Sequence, residues 1–347
     1  MPEFNSDDIK LNLKSGDESR IINSLHQIIE LKKQNIKIQD FYSELKPLFL
    51  DSSNEIRWLI AEIYDTPKSL LELKNSTNEQ KIREIKFLAD ITVPNMIQDR
   101  SERNIEYAMP FLTIMLFETD ENVCYEALET IHSAQSDDQD FEITLPPMLK
   151  FISGRNDKLC LKSLLIIRSA VMSPFKMLEI SDFLPLIEKC LHHSYKMIKW
   201  AAADILSFYF AKSQKWDKVI DLLKNPDKDI RQETAGTLSR IYCCVAPLIS
   251  TLNKLLSDEY EDVRIVAART LVYKANKIQD ILKTIPVILA SLKNKKEKNR
   301  IYASEIVYNL INLFLKKQKK STEANKKHWF PIENIIAELE NHFNDES

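Results

Sequence analysis

The sequence predicts an all-α protein built from repeated helical hairpins, and three observations lead to this fold class. The 347 residues include three glycines, where average usage would supply roughly 24. Glycine provides the positive-φ corners of hairpin turns, phosphate-binding loops and strand-to-helix elbows, so this scarcity argues against Rossmann folds, P-loop enzymes, α/β-hydrolases and β-sandwiches. Helix-forming residues such as Leu, Ile, Lys, Glu and Ala are abundant. A pattern with helical periodicity also recurs along the chain.

The recurring pattern starts at an apolar anchor, continues with alanine or another apolar residue at +4 or +5, and ends with a further apolar residue at +7. Clear copies begin at Ile56, Ile82, Val123, Leu159, Ile198, Ile230 and Val263, and weaker copies begin at Asn299 and near Arg20. From Ile56 onward, successive anchors lie 26 to 41 residues apart. This spacing is typical of a helical-hairpin repeat.

A second amphipathic stretch precedes each copy, and turn residues separate the two. Asn225-Pro226-Asp227 is one such turn, because proline ends the preceding helix and aspartate caps the next. Prolines fall within or near the start of the first helices: Pro47, Pro110, Pro146, Pro147, Pro185, Pro247 and Pro286. Each repeat is therefore predicted to be a helix A, a turn and a helix B.

The sequence resembles the HEAT-repeat family, within the HEAT/armadillo α-solenoid class. The resemblance is carried by those prolines, by aspartates in the turns (Asp227, Asp229, Asp258 and Asp262) and by a basic residue after the anchor (Arg57, Arg83, Lys199, Arg231, Arg264 and Arg300). It implies a right-handed α-solenoid, or superhelix, of about eight or nine hairpins. It is specific for the fold and not for the function, because such solenoids serve many kinds of assembly.

We expect a polar N-terminal segment at residues 1–15, the solenoid at 16–315, a basic loop at 316–327 and a C-terminal capping helix at 328–347. No apolar run approaches the length of a membrane span, and the polar, acidic N-terminus differs from a signal peptide. The five cysteines lack the spacing of a disulfide framework. These features predict a cytoplasmic protein, with the nucleus as an alternative location.

Partner-binding residues are predicted on the concave face of the B helices. Relative to the anchor, positions +2 and +6 point away from the buried arc. Three aromatic residues at +2 each have a carboxylate at +6, which gives the pairs Trp58/Glu62, Tyr125/Glu129 and Trp200/Asp204. An aromatic ring beside a carboxylate suits a lysine or arginine side chain of a partner. The alternative is that these aromatics pack against neighbouring repeats.

Charge is unevenly distributed although the net charge is only -3. No Lys or Arg lies between Arg103 and Lys150, where ten acidic residues predict attraction of a basic partner. Residues 293–327 are strongly basic and include a patch at Lys316, Lys317, Lys319, Lys320, Lys326 and Lys327. Nucleic-acid binding through 293–327 is therefore an alternative function. A chaperone co-factor or assembly-factor subunit of a larger complex is another.

No catalytic constellation is found in the sequence. No glycine-rich phosphate loop or Ser/His/Asp spacing occurs, and no histidine precedes glutamate, as it does in HEAT-type di-iron hydroxylases. Cys190, His192 and His193 lie close together but lack an obvious fourth metal ligand. We predict a non-enzymatic scaffold or adaptor without cofactor or metal, whose concave helix-B face binds a basic or helical segment of a partner protein. No small-molecule substrate or membrane partner is expected.

Overall fold

A computed structural model describes residues 5–48, 53–92, 105–134, 144–172, 179–241 and 245–320. Within these ranges every regular element is helical and no strand occurs, which confirms the predicted all-α helical-repeat class. The chain forms two compact units, residues 1–190 and 191–347.

The first unit consists of short and longer helices in alternation. Its described helices are α1 (Ser6–Leu13), α2 (Glu18–Lys33), α3 (Tyr42–Leu48), α4 (Asn54–Ile63), α5 (Lys68–Leu71), α6 (Asn78–Thr92), α7 (Ile105–Met115), α8 (Glu121–Ala134), α9 (Leu145–Ile152), α10 (Asp157–Met172) and α11 (Leu184–Cys190). Helix α8 packs on α7 within its hairpin and lies between α6 and α10. Helix α10 packs on α9 in the same way, so α6, α8 and α10 form a layer of B helices.

The second unit repeats this arrangement. Its described helices are α12 (Lys196–Lys212), α13 (Trp216–Leu223), α14 (Lys228–Arg240), α15 (Ile249–Leu255), α16 (Glu261–Lys274), α17 (Ile278–Leu282), α18 (Ile285–Leu292) and α19 (Glu297–Lys320). Helices α12, α14, α16 and α19 pack side by side in that order, while α13, α15 and α18 contact them from the helix-A layer. The prolines lie inside or at the start of A helices, except Pro247, which lies in a 3-10 turn just before α15.

Helix ends are formed largely without glycine. The Asp17 side chain caps α2 by accepting a hydrogen bond from the Arg20 backbone N–H at 3.1 Å. Just beyond the ends of α2, α4 and α12, the left-handed conformation that usually selects glycine is taken by Asn35, Asp65 and Gln214. Three glycines therefore suffice because polar residues close several of the helices.

The predicted anchors are buried with one exception. Ile56, Val123, Leu159, Ile198, Ile230 and Val263 belong to the core. In α6, however, Ile82 is half-buried, and Lys81 and Ile85 face the core instead, so the predicted register of this repeat is wrong by one residue. Lys81 tolerates this position because its ammonium group pairs with Glu118 at 2.7 Å.

Both ends of the array differ from the sequence expectation. Residues 1–15 were expected to be a polar segment, yet α1 forms there and buries Ile9 and Leu13. The basic loop expected at 316–327 is helical in its first part, because α19 continues to Lys320. The remainder of that loop and the capping helix expected at 328–347 lie outside the described residues.

Three turns of the second unit share one hydrogen-bonding device, which we name the arginine clasp. An Asn or Asp side chain at the first turn position accepts a hydrogen bond from the N–H two residues later. The arginine six residues later donates to the backbone carbonyl of that first residue and to the next carbonyl. The clasps join Asn225 to Arg231, Asp258 to Arg264 and Asn294 to Arg300.

Candidate functional site

The two residues of the first predicted pair, Trp58 and Glu62, differ in exposure. Trp58 is 4% exposed and its ring centroid lies 6.2 Å from that of Phe111 on α7. Glu62 is exposed on α4. The expectation that Trp58 lies on an open face is therefore wrong, because the neighbouring A helix covers it, and its position matches the packing alternative.

The second predicted pair, Trp200 and Asp204, is also not an open platform. Asp204 has no exposed surface, and it accepts hydrogen bonds from Thr237 and from Arg240, the latter at 2.6 Å. Trp200 is half-buried and its indole N–H donates to Glu233. Burial raises the pKa of Glu233 first, and the Asp204 carboxylate raises it further, while Arg240 and Trp200 oppose the shift. Asp204 is thus already paired and unable to meet a partner's lysine.

The third predicted pair, Tyr125 and Glu129, lies half-exposed on the B-helix face of α8. Glu129 forms an ion pair with Lys162 of the neighbouring α10. Leu161 and Leu165 occupy the corresponding +2 and +6 positions of α10 and are half-exposed as well. At these positions of α8 and α10 the +2 and +6 side chains thus keep partial exposure, unlike Trp58 and Asp204.

These residues line an open groove of about 1160 Å³ in the first unit. We name it the α8–α10 groove, because its walls come from those helices and from the turns that precede them. Its floor contains Tyr125, Leu161 and Leu165, with Phe151 beside them. The charged lining residues are Glu118, Glu121, Lys150, Arg155, Asp157, Lys158 and Lys162.

The carboxylates on the α8 side of the groove are already bonded to neighbours. Glu118 pairs with Lys81 at 2.7 Å, and Glu121 accepts a hydrogen bond from the Asn156 side chain, also at 2.7 Å. Farther along α8, Glu126 lies 3.2 Å from Lys86. Three acids of the stretch between Arg103 and Lys150, namely Glu118, Glu126 and Glu129, are therefore paired with lysines.

Unlike these carboxylates, three bases of the groove lack an ion-pair partner among the described residues. Across the described part of the chain, no carboxylate forms an ion pair with Lys150, Arg155 or Lys158, and all three are exposed. The Lys150 ammonium lies 4.7 Å from the ring centroid of Phe151 and 5.4 Å from that of Phe117. Partial desolvation of the ammonium group lowers the pKa of Lys150, and the nearby Arg57, stacked 3.7 Å over Phe117, acts in the same direction, while Cys124 and Glu118 oppose the shift.

Sequence reasoning missed these three bases. Lys150 lies near the end of α9, Arg155 in the turn and Lys158 in the first turn of α10. The predicted site residues were instead at positions +2 and +6 of the B helices. The available signal was the run of bases around Asn156, whose side chain caps α10 by accepting from the N–H groups of Lys158 and Leu159.

The predicted basic patch lies partly on α19. Lys316, Lys317, Lys319 and Lys320 lie in the last turns of α19, and Lys326 and Lys327 lie outside the described residues. Nearer the start of the basic region, Lys296 pairs with Asp262 at 2.8 Å and Arg300 forms a clasp. Part of the basic region 293–327 thus has a structural role.

Neither a group of metal ligands nor a membrane-spanning helix is found among the described residues. Within them, no three His, Cys, Asp or Glu side chains are grouped as ligands for a metal ion. His193 instead accepts a hydrogen bond from the Tyr195 N–H, and Cys190 is a buried free thiol. None of the described helices combines the length and the apolar run needed to cross a membrane.

Comparison with known proteins identifies no family for this chain. No family model and no curated protein matches the chain. An engineered protein of known structure is similar over 96% of this chain and 99% of its own, with 16% identity and a TM-score of 0.44. Kap121p, in its crystal structure, is similar over 88% of this chain with 14% identity and a TM-score of 0.44, and this chain spans 37% of its length.

Proposed function

We propose that this protein is a non-enzymatic binding scaffold and that the α8–α10 groove receives a helical segment of a partner protein. The observation that carries the proposal is an open groove between the first halves of α8 and α10, whose lining includes the half-exposed Tyr125, Leu161 and Leu165. Leu161 and Leu165 are four residues apart on α10, so their side chains form a short stripe beside Tyr125. Such a stripe suits the apolar face of an amphipathic helix.

The walls of the groove are held in place before any partner binds. The Glu129–Lys162 ion pair links α8 to α10, and the Lys81–Glu118 pair links α6 to the turn before α8. The Asn156–Glu121 hydrogen bond joins the two turns. A surface whose side chains are fixed in advance loses less conformational entropy on binding, which favours recognition.

The cysteine of the groove is unsuited to nucleophilic chemistry. Burial raises the pKa of Cys124 to about 11, and its thiol donates to the backbone oxygen of Glu118 at 3.3 Å. A thiol protonated at neutral pH is a weak nucleophile. This supports binding rather than covalent catalysis in the groove.

Site-specific photocrosslinking tests the proposal. A benzoyl-phenylalanine would replace Tyr125, Leu161 or Leu165 in the full-length protein, with Tyr195 and Tyr308 replaced as exposed controls outside the groove. The probe-bearing proteins would be irradiated in lysate of the source cell, and the crosslinked proteins identified by mass spectrometry. We expect at least one protein to be captured from the groove positions and not from the controls.

Equal capture from the groove and control positions would refute the groove as the binding surface. Retained helicity and an unchanged melting temperature of each probe-bearing protein, measured by circular dichroism, provide the folding control.

A further inference from the structure

We propose that the α8–α10 groove selects an acidic partner segment with an apolar anchor. This inference rests on the proposed function and adds the chemistry of the partner. It differs from the basic segment expected from the sequence, and the difference comes from how the charges of the groove are paired.

The carboxylates that were to meet a basic segment are already occupied. Glu129 is paired with Lys162, Glu118 with Lys81, and Glu121 holds the Asn156 amide. Glu118 and Glu129 each already have a lysine beside them, so they offer a partner lysine less attraction than a carboxylate without a cation would.

Among the charged lining residues of the groove, bases outnumber acids: Glu118 and Lys162 form ion pairs with residues outside the lining, which leaves three bases and two acids, Glu121 and Asp157. Lys150, Arg155 and Lys158 lie within nine residues of one another along the chain and line the same groove. No described carboxylate pairs with any of them. Partner carboxylates would therefore gain attraction from these bases without displacing an existing ion pair.

Because the groove has apolar lining residues, the partner segment should carry an apolar side chain as well as carboxylates. Tyr125, Leu161 and Leu165 are half-exposed beside these cations, so an aliphatic or aromatic side chain can cover them while flanking carboxylates reach the bases. The stem of Lys150 adds to this surface, because its ammonium group lies near the Phe117 and Phe151 rings. An amphipathic segment with one apolar and one acidic face fits this arrangement.

Nucleic acid fits the groove less well than an acidic peptide. A nucleic-acid strand carries a phosphate at every nucleotide and would place phosphates beside Glu121 and Asp157 as well as beside the bases, whereas the carboxylates of a peptide can be spaced to face the bases alone. Of the two aromatic lining residues only Tyr125 is half-exposed, since Phe151 is buried, whereas single-stranded nucleic acid is usually held by successive aromatic stacking platforms.

Fluorescence anisotropy with the purified full-length protein tests the inference. The probes are a labelled 16-residue amphipathic peptide with Leu and Phe on one face and Glu on the other, the same peptide with Lys in place of Glu, and a labelled poly-uridylate 16-mer. The groove variant is Arg155→Glu/Lys158→Glu. The matched control is Lys218→Glu/Lys254→Glu, which reverses two exposed lysines of the second unit.

We expect the acidic peptide to bind about tenfold more tightly than the lysine peptide at 0.15 M salt. The groove variant should weaken binding of the acidic peptide about tenfold, while the control variant stays within about twofold of wild type. Tighter binding of the lysine peptide, an unchanged dissociation constant in the groove variant, or no binding of either peptide at millimolar concentration would overturn the inference. Groove-dependent binding of poly-uridylate in preference to the acidic peptide would also overturn it.

Failure of this inference and failure of the proposed function give different results. If groove positions capture a protein by photocrosslinking but the captured segment is basic, the scaffold function stands and the acidic preference is refuted. If the groove positions capture nothing beyond the controls, the binding function itself is refuted.

Discussion

Replacing Arg231 by alanine tests the connection between two successive turns of the second unit. The Arg231 guanidinium makes a bidentate ion pair with Asp258, with Nε–Oδ2 and Nη2–Oδ1 distances of 2.8 and 3.0 Å. Its Nη1 also donates to the carbonyl oxygens of Asn225 and Pro226 at 2.8 and 2.9 Å. The side chains of Arg231 and Asp258 are only 9% and 7% exposed. The substitution therefore removes one partner of a buried ion pair and one arginine clasp.

The expected cost follows from the burial of the charge that remains. Removing one partner of a buried ion pair typically costs about 3–5 kcal/mol, because the other charge stays desolvated without compensation. We expect Arg231→Ala to lower the free energy of unfolding by an amount in this range. Arg264→Ala is the matched control, since Arg264 makes the same two carbonyl contacts but is half-buried and has no bidentate carboxylate partner among the described residues. Its expected cost is about 1–2 kcal/mol.

Urea denaturation followed by circular dichroism at 222 nm measures both variants. Burial alone would raise the pKa of Asp258, but hydrogen bonds from Arg231 and from the Tyr260 N–H outweigh this effect, so the pKa of Asp258 is lowered in the folded protein. A lowered carboxyl pKa stabilises the folded state above the unfolded-state pKa of about 3.9, and this contribution is lost as pH falls through the folded-state pKa. The difference between wild type and Arg231→Ala should therefore shrink below about pH 4. Equal costs for Arg231→Ala and Arg264→Ala at pH 7 would refute the reasoning.

Three further predictions concern buried groups. Trp58→Ala should destabilise the protein by about 3–5 kcal/mol in urea titration and Trp58→Phe by less, because Trp58 packs against Phe111; equal losses would contradict this. Since the pKa of Glu233 is raised, its ionisation weakens the folded state as pH rises above the unfolded-state value of about 4.3; Glu233→Gln should remove this decrease in the free energy of unfolding with rising pH, and an unchanged pH dependence would argue against it. Cys124 should react with a thiol reagent at pH 7.5 far more slowly in the native protein than in urea, because its thiol is buried; similar rates would disprove its protection.

The sequence was sufficient for the fold because helical periodicity determines which arc of each helix is buried. Val123, Leu159 and Val263 occupy the core as predicted. The pattern was misleading in α6, where Lys81 takes a core position that a hydrophobicity pattern assigns to Ile82. A long side chain can bury its stem when a carboxylate, here that of Glu118, meets its charge.

Helical periodicity predicted only part of the candidate site. Positions +2 and +6 are open on α8 and α10, where Tyr125 and Leu161 line the groove. At position +2 of α4, by contrast, Trp58 packs against Phe111, because tertiary packing decides which neighbouring helix covers a side chain. Lys150 and Arg155 were missed since they lie near a turn, and helical periodicity carries no information about the direction of turn side chains.

The arginine clasp has a consequence for how this chain tolerates changes in length. Each clasp joins residues six positions apart, as in Asn225 to Arg231. One inserted residue would rotate the arginine by about 100° around its helix and carry it away from the carbonyls that it holds. Additions and deletions among these three repeats should thus accumulate after the B helices, in the connections between hairpins. For grafting loops or tags into the chain, those connections are the permissive sites and the clasped turns are not.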